Sequence, residues 1–252
     1  MSIYGNWVSV FLILYALISP HNSTILIYPF LSMNWFKRTF SYSIGKKLIM
    51  SLTGLFLVIY LIEHAIGNSL LFLGDGGETF NEFSHYMAGN PIIRVIEIIL
   101  FAGILFHVFD GFYLWFQNRG ARLVKYATHN HDAKVAWSSR NMIVSGSIVL
   151  IFLIVHLKTF FYPYRIVHSV PDLYQATVDA FSSTTYSAFY VFAMVLLGLH
   201  LHHGFASAFQ TLGMRHPNYY GMIKTLGMIL AVGLSGIFAA MPIYFQLAKF
   251  LG

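Results

Sequence analysis

Long apolar stretches separated by short polar ones dominate this chain, and they fall near 46–72, 92–117, 140–162, 186–210 and 223–248. Each exceeds the roughly 20 residues that a helix needs to cross about 30 Å of hydrocarbon. The runs are too long for strands and do not alternate as barrel strands do. The pattern predicts an all-α bundle of five membrane-spanning helices, continuous and without internal proline breaks. The segments 73–91 and 163–185 read as loops.

Composition agrees with this. The chain of 252 residues is 57% hydrophobic and only 10% charged, where a soluble domain carries about 25% charged residues. The few charges are unevenly placed. Lys37, Arg38, Lys46 and Lys47 precede the first helix, and Arg119, Arg122, Lys125, Lys134 and Arg140 surround Asp132 after the second. Arg215 and Lys224 follow the fourth. The other two connections hold Asp75, Glu78 and Glu82, and Arg165 against Asp172 and Asp179. The positive-inside rule therefore expects the segment before the first helix in the cytoplasm and the C-terminus outside. On this reading the net charge of +6 reflects topology, not nucleic-acid binding.

Residues 1–32 form a hydrophobic extension of a different kind. Trp7 to Ser19 is apolar but short for a span, and Pro20 follows it. No Lys or Arg precedes it, which disfavours a secretory signal. Met33-Asn34-Trp35-Phe36-Lys37-Arg38 is the favoured start of the working chain, 33–252, with a sixth helix as the alternative.

A duplication lies within the five helices. His107 and His200 each open the pattern H-x3-G-F-x3-F-Q-x2-G. Upstream, Thr53-Gly54 leads to His64 and Ser145-Gly146 leads to His156, with ten residues from glycine to histidine in both. The spacing from His64 to His107 nearly equals that from His156 to His200. A buried imidazole in a membrane needs a reason, and four at repeated positions point to two bis-histidine metal centres. The alternating helix directions sort them into an outer pair, His64 with His156, and an inner pair, His107 with His200. Two such levels suit two haems stacked across the bilayer, with both axial positions filled for electron transfer. The absence of cysteine excludes disulfides, covalently attached haem and cysteine-ligated iron–sulfur clusters within this chain. The 17% aromatic content suits interfacial belts or ring packing around a flat cofactor.

Other residues group around this constellation. Gly111 and Gly204 each follow an inner histidine by four residues, on the same helix face, and leave room for a porphyrin or for a close helix. His203 is the alternative ligand on the fourth helix, although the repeat register selects His200, because His203 stands where the second helix has Asp110. His85, His129, His131, His168 and His216 fall in loops. Arg119, Arg122 and Arg140 can pair with propionates, or can simply mark the cytoplasmic side. Lys158 and Arg165 stand in the same relation to the outer level. Glu97 and Glu63, acids within or beside spans, are candidates for quinone or proton contact.

With these motifs the chain resembles the cytochrome b558 family, the di-haem membrane anchors of succinate dehydrogenases and fumarate reductases. The likeness is carried by Gly54 to His64, His107-x3-Gly111, Ser145-Gly146 to His156, and His200-x3-Gly204-Phe205 with the following S-A-F-Q-T-L-G. It covers about Met33 to the C-terminus. The resemblance implies two haems b ligated by His64, His107, His156 and His200. It implies a bacterial inner membrane and docking of a flavoprotein and an iron–sulfur subunit on the cytoplasmic face. Electrons from succinate would then pass through the inner and outer haems to a quinone, usually menaquinone. Some fumarate-reductase members have a glutamate two residues before the fourth-helix histidine, where this chain has Gly198, which weakens a fumarate-reductase reading and leaves any proton path unassigned. Other di-haem anchors, of nitrate reductase, formate dehydrogenase or hydrogenase, lack the H-x3-G-F-x-S-A-F-Q run. A transporter with a histidine metal site is the non-redox alternative, and it would need acids in the helix cores and broken helices.

Overall fold

The computed structural model describes residues 43–120 and 141–251, and every regular element among them is helical. The readings made for residues 1–32, Met33, Arg122, Arg140, His129 and His131 lie outside those residues. Among the described residues five helices are long and apolar enough to cross a membrane, at 25 to 35 residues and with mean hydropathy of 1.5 to 2.3 in their most apolar windows. We label the helices α1 (Ser43–Asn68), α2 (Glu78–Gly89), α3 (Pro91–Gly120), α4 (Met142–His156), α5 (Leu173–Ser182), α6 (Thr184–Thr211) and α7 (Pro217–Leu251). The spans are α1, α3, α4, α6 and α7.

The segments expected to be loops are not simply loops. Each contains a short helix, α2 between α1 and α3, and α5 between α4 and α6. Asp172 caps α5 by accepting from the Gln175 amide at 2.8 Å, and Asp75 accepts from the Gly77 and Thr79 amides where α2 begins. The two short helices meet. Asn81 donates to the Asp172 carboxylate at 2.9 Å and accepts from the Tyr174 amide at 3.0 Å. They thus cover one end of the bundle, and His85 belongs to α2 rather than to a loop. The order span–short helix–span therefore occurs twice before α7.

Two prolines correct the expectation of unbroken spans. Pro242 lies inside α7, buried, and the helix continues through it. Pro163 lies in a π-helical continuation of α4, Leu157–Ile166, which carries the third span past its expected end at 162. Wide helical turns of this kind leave room for a ring that cannot donate an amide hydrogen.

The packed centre is α6 against α7. Tyr190, Met194, Leu197, Leu201 and Phe205 of α6 are buried at helical spacing, as are Ile223, Ala231, Leu234, Phe238 and Met241 of α7. Small residues let the backbones approach. A Cβ on Gly227 would lie 2.8 Å from the Phe205 ring, and one on Gly198 would lie 2.8 Å from Ser235 Oγ. The helix α6 also packs on α1 and α4, and α1 packs on α3. By contrast α3 turns Ile92, Ile98, Phe106 and Phe109 outward, each more than 60% exposed. Such a face is compatible only with an apolar surrounding.

Candidate functional site

The four repeated histidines come together in two pairs. The ring centroids of His64 (α1) and His156 (α4) are 5.9 Å apart, with planes at 86°. Those of His107 (α3) and His200 (α6) are 6.3 Å apart, with planes at 75°. Imidazoles bound to opposite sides of one metal, at about 2 Å each, have centroids roughly 6 Å apart. Both pairs match that spacing, which is also that of an edge-to-face ring contact. Among the described residues no group of three or more His, Cys, Asp or Glu is placed to hold a metal ion. The histidines converge in twos, the number of axial positions on a haem iron, whereas zinc sites use three or four protein ligands.

Aromatic rings surround the His64–His156 pair. His64 stacks on Tyr60 at 5.3 Å and lies 5.7 Å from Phe238. His156 is bracketed by Phe152, Phe160 and Tyr190, at 5.6, 5.2 and 6.3 Å. The Tyr60 hydroxyl and the Asn68 side-chain amide each lie 3.4 Å from His64 Nδ1. His156 Nδ1 is buried without a hydrogen-bond partner. The other pair is asymmetric in the same way: His107 Nδ1 lies 3.4 Å from the Thr53 hydroxyl, while His200 Nδ1 is buried and unpartnered. An orphaned buried nitrogen is costly, and a ring so placed has bonding capacity still to be used.

Glycines meet these rings and their neighbours in a reciprocal manner. A Cβ on Gly54 would lie 3.2 Å from His107 Cε1, and one on Gly146 would lie 3.1 Å from His200 Cε1. In the opposite direction, a Cβ on Gly111 would lie 3.3 Å from Met50 Cε, and one on Gly204 would lie 3.4 Å from Met142 Cε. So α1 and α3 interlock by histidine-on-glycine and methionine-on-glycine contacts, and α4 and α6 repeat both. Gly111 and Gly204 thus meet methionine methyls. The methionines were not singled out from the sequence. The available signal was that each stands three residues before the Thr-Gly or Ser-Gly pair.

The remaining candidates are dispersed. His203 is half-buried and His202 exposed. Arg119 is exposed and lies over the Trp115 ring at 5.3 Å. Lys158 is exposed on the π-helical segment, and Glu63 is exposed beside His64. Arg165 reaches Glu97 Oε2 through Nε and a terminal nitrogen, both at 3.1 Å, and donates to the Ala88 carbonyl. Arg94 holds the other oxygen of Glu97 at 2.9 Å. Glu97 is thus occupied by two guanidinium groups, that of Arg94 on its own helix and that of Arg165, which ties α3 to the end of the third span.

No family model, curated protein or solved structure matches this chain.

Proposed function

We propose that this chain is the membrane-anchor cytochrome b subunit of a succinate:quinone oxidoreductase. In this reading His64 with His156 and His107 with His200 hold two haems b at two levels of the bundle. The observation that carries it is the pairing of four imidazoles, at 5.9 and 6.3 Å, by helices from both halves of the chain. When bound, the haems supply one-electron transfer between the two faces of the membrane. The chain's own residues do the rest. The histidine pairs fix the position of each redox level, and Tyr60 and Thr53 orient a ligand ring. The aromatic shell of Phe152, Phe160, Tyr190 and Phe238 excludes water. Internal duplication, a bacterial inner-membrane location, a cytoplasmic face that docks a flavoprotein and an iron–sulfur subunit, and menaquinone as acceptor complete the proposal. They follow from the repeated motifs, the resemblance and the charge distribution.

The test is a dithionite-reduced minus oxidised visible spectrum of the purified protein, with haem quantified per chain. Two haems b per chain are expected. A folded protein with no haem, or with bound zinc, overturns the reading.

A further inference from the structure

The contact between helices within each half of the chain is more specific than small-residue packing requires. We propose that Gly54 and Gly146 are positioning residues for the rings of His107 and His200, and that the Thr53 hydroxyl, next to the Met50 carbonyl, helps to fix the tautomer of His107. This rests on the reading of those histidines as haem ligands.

The steric part stands on two independent copies. In each, the Nδ1–Cε1 edge of the imidazole lies over the glycine: a Cβ would sit 3.2 and 3.6 Å from Cε1 and Nδ1 of His107, and 3.1 and 3.5 Å from those of His200. An added methyl therefore requires the ring to give by a few tenths of an ångström. The helices cannot easily part to absorb it. Met50 and Met142, one turn earlier on the same helices, already seat their methyls on Gly111 and Gly204. Each helix pair is pinned at two points, and the imidazole occupies one of them.

The hydrogen-bond part distinguishes the copies. The Thr53 hydroxyl lies 2.8 Å from the Ile49 carbonyl and 3.2 Å from that of Met50, so its proton is committed to the backbone. What it can offer His107 Nδ1, 3.4 Å away, is a lone pair, and the Met50 backbone carbonyl beside it is a second acceptor for the same ring. The imidazole then carries its proton on Nδ1, and its other nitrogen keeps the lone pair that a metal needs. Ser145 stands in the corresponding place, and its hydroxyl donates to the Met142 carbonyl at 3.0 Å. Ser145 makes no hydrogen bond to His200, whose Nδ1 is left without a partner. Ser145 is therefore an internal control: same position, no hydrogen bond to the ring.

The experiment has two arms on the full chain. The first is a double-mutant cycle on the thermal unfolding midpoint. Gly54→Ala is expected to lower the midpoint in the otherwise unchanged chain and to have little effect when His107→Ala is also present. Gly146→Ala with His200→Ala should behave alike. Equal losses in both backgrounds overturn the steric proposal. This arm needs no haem, so it decides the matter even if the cytochrome reading fails. The second arm is a redox titration followed by visible spectra. Loss of one of the two acceptors beside the His107 ring makes the ligand less basic, which favours reduced iron. Thr53→Val should raise the midpoint potential of one haem and leave the other in place. Thr53→Ser should restore it, and Ser145→Ala should shift neither. Two haems with unchanged potentials in Thr53→Val overturn the tautomer proposal while leaving the cytochrome reading intact.

Discussion

Gly54 and His64 lie on one helix, ten residues apart, and each belongs to a different histidine pair. Gly54 meets the ring of His107, whereas His64 faces His156. Ten residues advance an α-helix by about 15 Å and turn it by about 280°. A single helix can therefore touch one pair with one side and supply a ring to the other pair at a different level. Gly146 and His156 do the same on α4. The repeated glycine-to-histidine spacing, visible in the sequence, is thus the vertical separation of the two levels.

Single histidine substitutions should divide into two classes if each pair holds one haem. His64→Ala or His156→Ala should remove one haem per chain, and His107→Ala or His200→Ala should remove the other, leaving spectrally different remainders. His203→Ala should retain both, because it is His200 that lies against His107. Haem quantification per chain with the reduced spectrum of each variant checks this. Loss of haem in His203→Ala with full retention in His200→Ala would move the ligand by three residues.

The spans were legible because their apolar runs are longer than any soluble element needs. The grouping of the histidines was legible because the repeat and the alternating direction of the helices fix both level and partner. The short helices α2 and α5 were not, since their polar, acid-bearing sequences read as connection. Their order comes from Asn81 bridging Asp172 and Tyr174, a contact some 90 residues away in sequence. Nor could Glu97 be read correctly in isolation. An acid in an apolar stretch invites a functional role, but Arg165, 68 residues later, reaches it only because the third span continues as a π-helix. The methionine-on-glycine contacts need knowledge of which helices are neighbours, which periodicity alone does not supply.

Gly198 carries a packing requirement that the sequence hides. A Cβ there would lie 2.8 Å from Ser235 Oγ and 3.5 Å from the Ala231 carbonyl. Gly198→Ala should destabilise the chain by about 1–3 kcal/mol, the usual range for overpacking. Gly198→Glu should cost more, since it adds an acid to the α6–α7 contact. Combining Gly198→Ala with Ser235→Gly should recover most of the loss. Thermal unfolding in detergent measures all three. A stable Gly198→Glu variant would mean that α6 and α7 separate more readily than their contact implies.

The Glu97–Arg165 pair is largely shielded, with side chains 15% and 13% exposed. Glu97→Ala leaves the guanidinium with the Ala88 carbonyl alone, and the expected cost is about 3 kcal/mol, the low end for breaking a buried pair. The double variant Glu97→Ala, Arg165→Met should be less destabilised than Glu97→Ala, because no uncompensated charge remains. Arg94, whose side chain is 49% exposed, should cost under about 1 kcal/mol when replaced by alanine. Equal effects of Arg94→Ala and Glu97→Ala on the unfolding midpoint would contradict this ranking.

The cap of short helices should loosen in acid. The Gln175 amide and the Asn81 side chain hold the Asp172 carboxyl below the ordinary carboxylate range, and bonds to Thr79 and Gly77 do the same for Asp75. A carboxyl whose folded-state pKa is depressed contributes stability fully above its unfolded value of about 3.9. That contribution is lost as pH falls through the lower folded value. The contacts of α2 with α5 should therefore be constant from neutral pH down to about pH 5, and should weaken below about pH 4. Amide hydrogen-exchange protection of the two helices, corrected for intrinsic rates and compared at pH 5 and pH 3, reads this directly. Protection should fall at pH 3 in α2 and α5 while the α6–α7 core keeps its own. Asp172→Asn should show reduced protection already at pH 5 and a smaller further change on acidification. Protection of α2 and α5 that is the same at both pH values would mean that apolar contacts, not Asp172 and Asp75, hold this end of the bundle together.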